Sequence, residues 1–176
     1  MTARIVAANL RDLSYIASRL REDDRQEAEA QIGPVHFIDF AAMHLRDRAY
    51  VVLLDGNPEA AFGAGRIMGQ HLWAAWSWGG PRMARCLPAI TRFVRADMVP
   101  DLLEQSAWRV EARALASHTG ARLWLPRMGA TERCELPNYG VNGETFILYE
   151  WTRDHVPLLQ ARHAEAEASP GDALGG

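Results

Sequence analysis

Residues 50–65 read YVVLLDGNPEAAFGAG, and this stretch limits the possible folds more than any other. Two β-prone runs, YVVLLD and EAAFGAG, flank Asp55-Gly56-Asn57-Pro58, a cluster of turn-forming residues. The spacing predicts a hairpin in the middle of the chain. HLWAAWSWGG follows, and its alternation puts Trp76 and Trp78 on one face with Trp73 on the other. That pattern predicts a strand covered on both sides, with the tryptophans in the sheet core. No basic residues are interleaved with them, so they do not form a base-stacking platform.

The chain on either side carries helical periods. Residues 3–8 form a short β-tolerant run ended by Asn9, a good N-cap, after which Leu13, Ile16, Ala17 and Leu20 recur at helical spacing. REDDRQEAEAQ predicts a second helix capped by Asp23 or Asp24, stopped by Gly33-Pro34 and exposing a solvated charged face. Phe37, Phe40, Ala41 and His44-Leu45 mark a third, shorter helix. Pro88 suits the first turn of another, with Ile90, Phe93, Val94 and Met98 buried and Pro100 ending or bending it.

AWRVEARAL alternates cleanly, Trp108, Val110, Ala112 and Ala114 against Arg109, Glu111 and Arg113, which predicts a half-buried strand with a polar second face. Ser117 or Thr119 can cap a helix through Leu125, where Pro126 interrupts it and Gly129 closes the segment. Residues 131–136 and 144–151 then predict two strands around the turn-rich 138–143. After Pro157 the chain has almost nothing to bury, so residues 157–176 are expected to be a mobile tail or one ordered by a partner.

This order predicts an α/β fold, a mixed central sheet flanked by helices with a C-terminal hairpin, in one domain over residues 1–156. A length of 176 residues and 48% hydrophobic composition suit one buried core. The net charge of −3 argues against a broad grip on nucleic acid. Cys86 and Cys134 lack partners at metal spacing, so two free thiols in a reducing compartment are expected. Arg4, Arg11 and Asp12 break up the opening residues, which suit neither a signal sequence nor a membrane span.

The same order, with "MGA" leading into the terminal hairpin, resembles the GNAT acyl-CoA N-acyltransferase superfamily over roughly residues 3 to 152. LREDDRQE, YVVLLDGNPEAAFG and ARLWLPRMGA are most similar to one branch, the small GNAT-like internal-virion and assembly proteins of short-tailed bacteriophages. The matching positions are Leu20-Arg21, Asp24-Arg25 and Glu27, then Asp55-Gly56 with Ala61-Phe62-Gly63, and Trp124-Leu125 before Met128-Gly129.

The resemblance implies a Q/R-x-x-G-x-G/A loop whose backbone N–H groups hold the CoA pyrophosphate. Here the place is WSWGGPRMARCLP, and neither frame fits. With Gly79 as the first glycine, Trp76 takes the Q/R position and Pro81 the second glycine; with Arg82 at Q/R, Arg85 and Leu87 take the glycines. Gly79, Gly80, Arg82 and Arg85 remain the candidate anion-binding residues.

The family's asparagine, and the tyrosine seven residues on that protonates the thiolate, fall on His118 and Leu125. Leucine donates no proton. His118 and Glu111 are the candidate catalytic groups, although a histidine beside a helix start also reads as a cap, and Arg109 and Arg113 make Glu111 equally part of an ion-pair ladder. No metal site is expected.

With the fold pattern kept and two chemical positions lost, the resemblance leads first to a phage protein acting in virion assembly by binding other phage structural or assembly proteins. Its location would then be the host cytoplasm and the virion, with no cofactor required. The alternative is an acetyl-CoA-dependent N-acetyltransferase modifying an amine or a protein N-terminus.

Overall fold

The computed structural model describes residues 2–34, 36–69 and 71–155. The segment 157–176 lies outside the described residues. Seven strands form one sheet in the order β1-β2-β3-β4-β5-β7-β6. The strands are β1 (Ala3–Ala7), β2 (Arg48–Leu54), β3 (Asn57–Met68), β4 (Leu72–Gly79), β5 (Arg109–Leu115), β6 (Thr131–Leu136) and β7 (Phe146–Thr152). Every neighbouring pair is antiparallel except β4 and β5. The β2–β3 hairpin closes through Asp55 and Gly56 alone, at φ 51° and 83°. Two positive φ values in a two-residue loop match the right-handed twist of the strands it joins.

Helices cover both faces. On one lie α1 (Leu10–Ala17), α2 (Glu22–Ile32) and α3 (Phe37–His44), with Leu13, Ile16, Phe40 and Ala41 packing on Val51, Ala61 and Trp78. The other carries α4 (Leu87–Phe93), α5 (Val99–Gln105) and α6 (Thr119–Trp124), over a larger core that includes Phe62, Trp73, Val110 and Trp151. Trp73 and Trp78 thus point to opposite faces, as the alternation of β4 requires. Asn9 caps α1 by accepting from the Asp12 N–H at 2.9 Å.

Three local expectations fail for physical reasons. The residue at the N-cap of α2 is Arg21 and no side chain caps it, because Asp24 turns inward and is 5% exposed. Of the two outcomes expected at Pro100, ending the helix fails: a π-turn over Val94–Met98, with the Val99 N–H donating to the Val94 carbonyl, changes the hydrogen-bond register before the proline, which enters the first turn of α5. Trp108 is 62% exposed and stacks on His71, since β5 begins only at Arg109, while Glu111 on the opposite face is buried.

Candidate functional site at the split between β4 and β5

Parallel pairing between β4 and β5 covers only Leu72 with Arg109, Trp73 with Val110 and Ala74 with Glu111. Beyond that the strands run on unpaired with each other to Gly79 and Leu115, and the sheet opens. A cavity of about 500 Å³ occupies the opening and reaches both faces, from Phe40, Trp76 and Trp78 on one to Ile90, Trp124 and Trp151 on the other.

Helix α2 lies across the open end and ties the separated strands together. Asp24 Oδ2 accepts from the Gly79 N–H that ends β4, at 2.8 Å, and Glu27 Oε2 accepts from the Leu115 N–H that ends β5, also at 2.8 Å. The two carboxylates are three residues apart, so they share one face of the helix. One side of the charge run expected to be solvated is therefore structural.

His118 sits behind Glu27. It is 5% exposed, its Nδ1 lies 2.9 Å from Glu27 Oε2, and its Nε2 lies 3.4 Å from the Arg21 guanidinium. Arg21 in turn donates to Asp24 at 2.8 Å. Burial alone would lower the His118 pKa; the hydrogen bond to Glu27 and the charges of Glu27 and Asp24 outweigh both burial and the opposing Arg21 charge, and the net shift is upward. His118 occupies the N-cap position of α6 without a side-chain capping bond. Its partner is the acidic helix instead.

The loop after β4 is already satisfied from within. The Gly80 N–H donates to the Glu59 carbonyl at 2.8 Å, and the Arg82 N–H to Glu59 Oε1 at 2.6 Å. The Arg82 guanidinium pairs with Glu59 Oε2 at 3.1 Å, and the Met83 and Arg85 amides bond back within the loop. Glu59 is 2% exposed. A Cβ on Gly80 would stand 2.8 Å from Glu59 Oε1, so the glycine makes room for this carboxylate.

With the Gly79 amide bound to Asp24, the backbone amides of all four residues expected to face an anion, Gly79, Gly80, Arg82 and Arg85, already hold internal acceptors, and Pro81 has none to offer. The pyrophosphate group of CoA therefore does not fit this loop as it stands.

Glu111 is held from both sides, with Arg109 at 2.6 Å from Oε1 and Arg113 at 2.6 Å from Oε2, and Arg109 and Arg133 continue the ladder to Glu150. None of Gly79, Gly80, Arg82, Arg85, Glu111 and His118 lines the cavity. The structure brings His118 near Gly79 through Asp24 and Arg21, and leaves Glu111 in the neighbouring ladder. Asp24, Glu27 and Glu59 are not among the site residues expected from the sequence: Asp24 and Glu27 stand there only as positions of the family resemblance within a charge run, Asp24 also as a candidate cap, and Glu59 only as part of a β-prone run. Burial pushes the Cys86 thiol up to about 11, with Glu59 adding to the shift, so it is not a nucleophile at neutral pH. Among the described residues no cluster of three His, Cys, Asp or Glu side chains suits a metal ion, and no helix is long and apolar enough to cross a membrane.

No protein-family model matches the sequence, and no curated protein matches it. Solved structures do. A GCN5-related N-acetyltransferase from Brucella melitensis superposes with a TM-score of 0.69 at 14% identity, over 96% of this chain and 83% of that one. A GNAT-family acetyltransferase from Bacillus anthracis gives 0.63 at 11% identity over 88% and 96%. The ribosomal-protein-S18-alanine N-acetyltransferase from Escherichia coli gives 0.61 at 13% identity over 99% and 100%. The chain has the fold of the GNAT acetyltransferases, a seven-stranded mixed sheet between helical layers.

Proposed function

We propose that this GNAT-fold chain works by binding, as an assembly protein of a tailed bacteriophage that docks on other phage structural proteins, and that its acyl-CoA loop is closed. The carrying observation is Glu59. A buried carboxylate takes the Arg82 amide and guanidinium, which are donors that a diphosphate would need, and a second carboxylate, Asp24, takes the Gly79 amide. Displacing Glu59 would strand a buried charge, which is costly unless the incoming anion replaces every bond. The phage setting is supported by the sequence resemblance alone, and head, portal and tail genes beside this one would test it.

Calorimetry with acetyl-CoA tests the closed loop. No saturable heat is expected at about 0.1 mM, a concentration at which enzymes with typical KM values are occupied. A micromolar isotherm would overturn the proposal in favour of an acetyltransferase acting on an amine or a protein N-terminus. One observation favours that second reading: the split between β4 and β5 remains open, with Glu27 at its margin and His118 behind it.

A further inference from the structure

Helix α2 walls one side of the cavity with Asp24, Glu27, Ala28, Gln31 and Ile32, but little apolar surface fixes it there. Of its apolar side chains only Ala30 is buried, and Ala28 and Ile32 are partly so. Backbone bonds hold its two ends: the Arg21 N–H donates to the Gly79 carbonyl at 3.0 Å, and the Val141 N–H to the Ala30 carbonyl at 2.9 Å. Between them the helix is held by its own carboxylates, Asp24 on the Gly79 N–H and Glu27 on the Leu115 N–H. An element tied by polar bonds and few apolar contacts opens at a lower free energy than the core beneath it.

Glu27 Oε2 takes two donors at once, the Leu115 N–H and His118 Nδ1. On the other side of the ring, Nε2 lies 3.4 Å from Arg21 and 3.9 Å from both Asp23 and Asp24. Beyond the helix and its Arg21 cap, His118 is the one side chain among the described residues that meets these three carboxylates. The neighbouring cations are engaged elsewhere: Arg113, just before Leu115 on β5, pairs with Glu111, and Arg122, one turn on in α6, donates to the Ala116 carbonyl. Neutral, the ring offers one donor, to Glu27, and its Nε2 accepts from Arg21. Protonated, it is a donor at both nitrogens and sets a second cation beside Arg21 among the three carboxylates.

We infer that His118 is a pH-sensitive latch for α2, and that the helix is a strap over the split between β4 and β5. With the ring protonated, the strap is held on both strand ends. As the ring loses its proton, Asp24 and Glu27 keep Arg21 as their one neighbouring cation, the middle of α2 comes away from the Gly79 and Leu115 amides, and the cavity opens on that side. The upward displacement of the His118 pKa has the sign this requires: the docked helix favours the proton, so its docking weakens as pH rises through the folded-state value. The latch acts whether the cavity serves docking or acyl transfer.

Amide hydrogen exchange read by NMR tests it, because the Gly79 and Leu115 N–H groups are bonded to α2 carboxylates and exchange when the strap opens. Protection factors, which remove the intrinsic effect of pH on exchange, are expected to fall at these two amides between about pH 5.5 and 8.5, by about tenfold for each unit by which α2 raises the His118 pKa. The fall should track the titration of the His118 ring, and amides of the central strand β3 should stay more protected throughout. His118→Gln is expected to make protection at Gly79 and Leu115 independent of pH. Glu27→Gln, which keeps an acceptor for the Leu115 N–H and removes the charge, should lower the midpoint of the ring's titration and flatten the profile, and it carries the test if the histidine variant does not fold. Protection that does not change with pH, or an equal fall in His118→Gln, would overturn the latch. Exchange of Gly79 and Leu115 together with β3 at every pH would overturn the strap, since the fold would then open only as a whole.

Discussion

Glu59 and His118 illustrate how much a buried charge depends on its neighbours. Replacing Glu59 by alanine leaves the Arg82 N–H and guanidinium without their acceptor beside a buried void, and should cost about 1–3 kcal/mol in urea unfolding. Glu59→Gln keeps an acceptor oxygen and should cost less; equal losses would show that the carboxyl group's hydrogen bonds do not hold the loop. For His118, the folded state raises the pKa above its ordinary value near 6.5, so folding takes up a proton. The stabilisation from the protonated ring is complete below the unfolded pKa and is lost as pH rises through the folded one. The stability gap between the wild type and His118→Gln should therefore be wider at pH 5.5 than at pH 8.5, measured by denaturant midpoint; a gap that widens with pH would reverse the assignment of Glu27 and Asp24 as dominant partners.

At the scale of elements, β3 and β4 depend on two glycines with opposite demands. A Cβ at Gly63 would lie 2.1 Å from the Arg48 carbonyl oxygen and press on Trp76, whereas at Gly65 it meets nothing closer than 3.7 Å. Gly63→Ala forces backbone to move and should destabilise by about 1–3 kcal/mol, the range for overpacked interiors. Gly65→Ala should be neutral or slightly stabilising, because alanine restricts the unfolded chain more than glycine does. Thermal melts of the two variants check the contrast, and equal midpoints would contradict the close approach of β2 to β3 at Gly63. Helix α2 shows the same dependence on position: its two inward carboxylates hold the ends of β4 and β5, while Glu22 and Glu29 pair with Arg25 on the exposed side.

For the whole molecule, the two larger cores lie on opposite faces of one sheet. The tryptophans report on both: Trp73, Trp124 and Trp151 pack under α4–α6, and Trp76 and Trp78 under α1–α3. Unfolding followed by tryptophan fluorescence and by far-ultraviolet circular dichroism should give coincident transitions, as expected when a single domain unfolds in one step. Separated midpoints would mean that the helical layers come away independently.

The sequence by itself determined the layered α/β architecture, because strand and helix periods are local: the Asp55-Gly56 turn, the split of Trp73 from Trp76 and Trp78, and the Asn9 cap can each be read from a few neighbouring residues. It also exposed the lost glycine pattern around Pro81. Only the tertiary structure decided what the charges do. Asp24 lies 55 positions from the Gly79 amide it accepts from, Glu27 lies 88 from the Leu115 amide, and Glu59 lies 23 from Arg82. Acidic residues in a helix or strand look the same in sequence whether they meet water or an unpaired amide, since the partner is supplied by chain folding back from far away. The ladder of Glu111 with Arg109 and Arg113 is local and can be read from β5 alone, whereas its extension through Arg109 to Glu150 exists only because β7 lies beside β5.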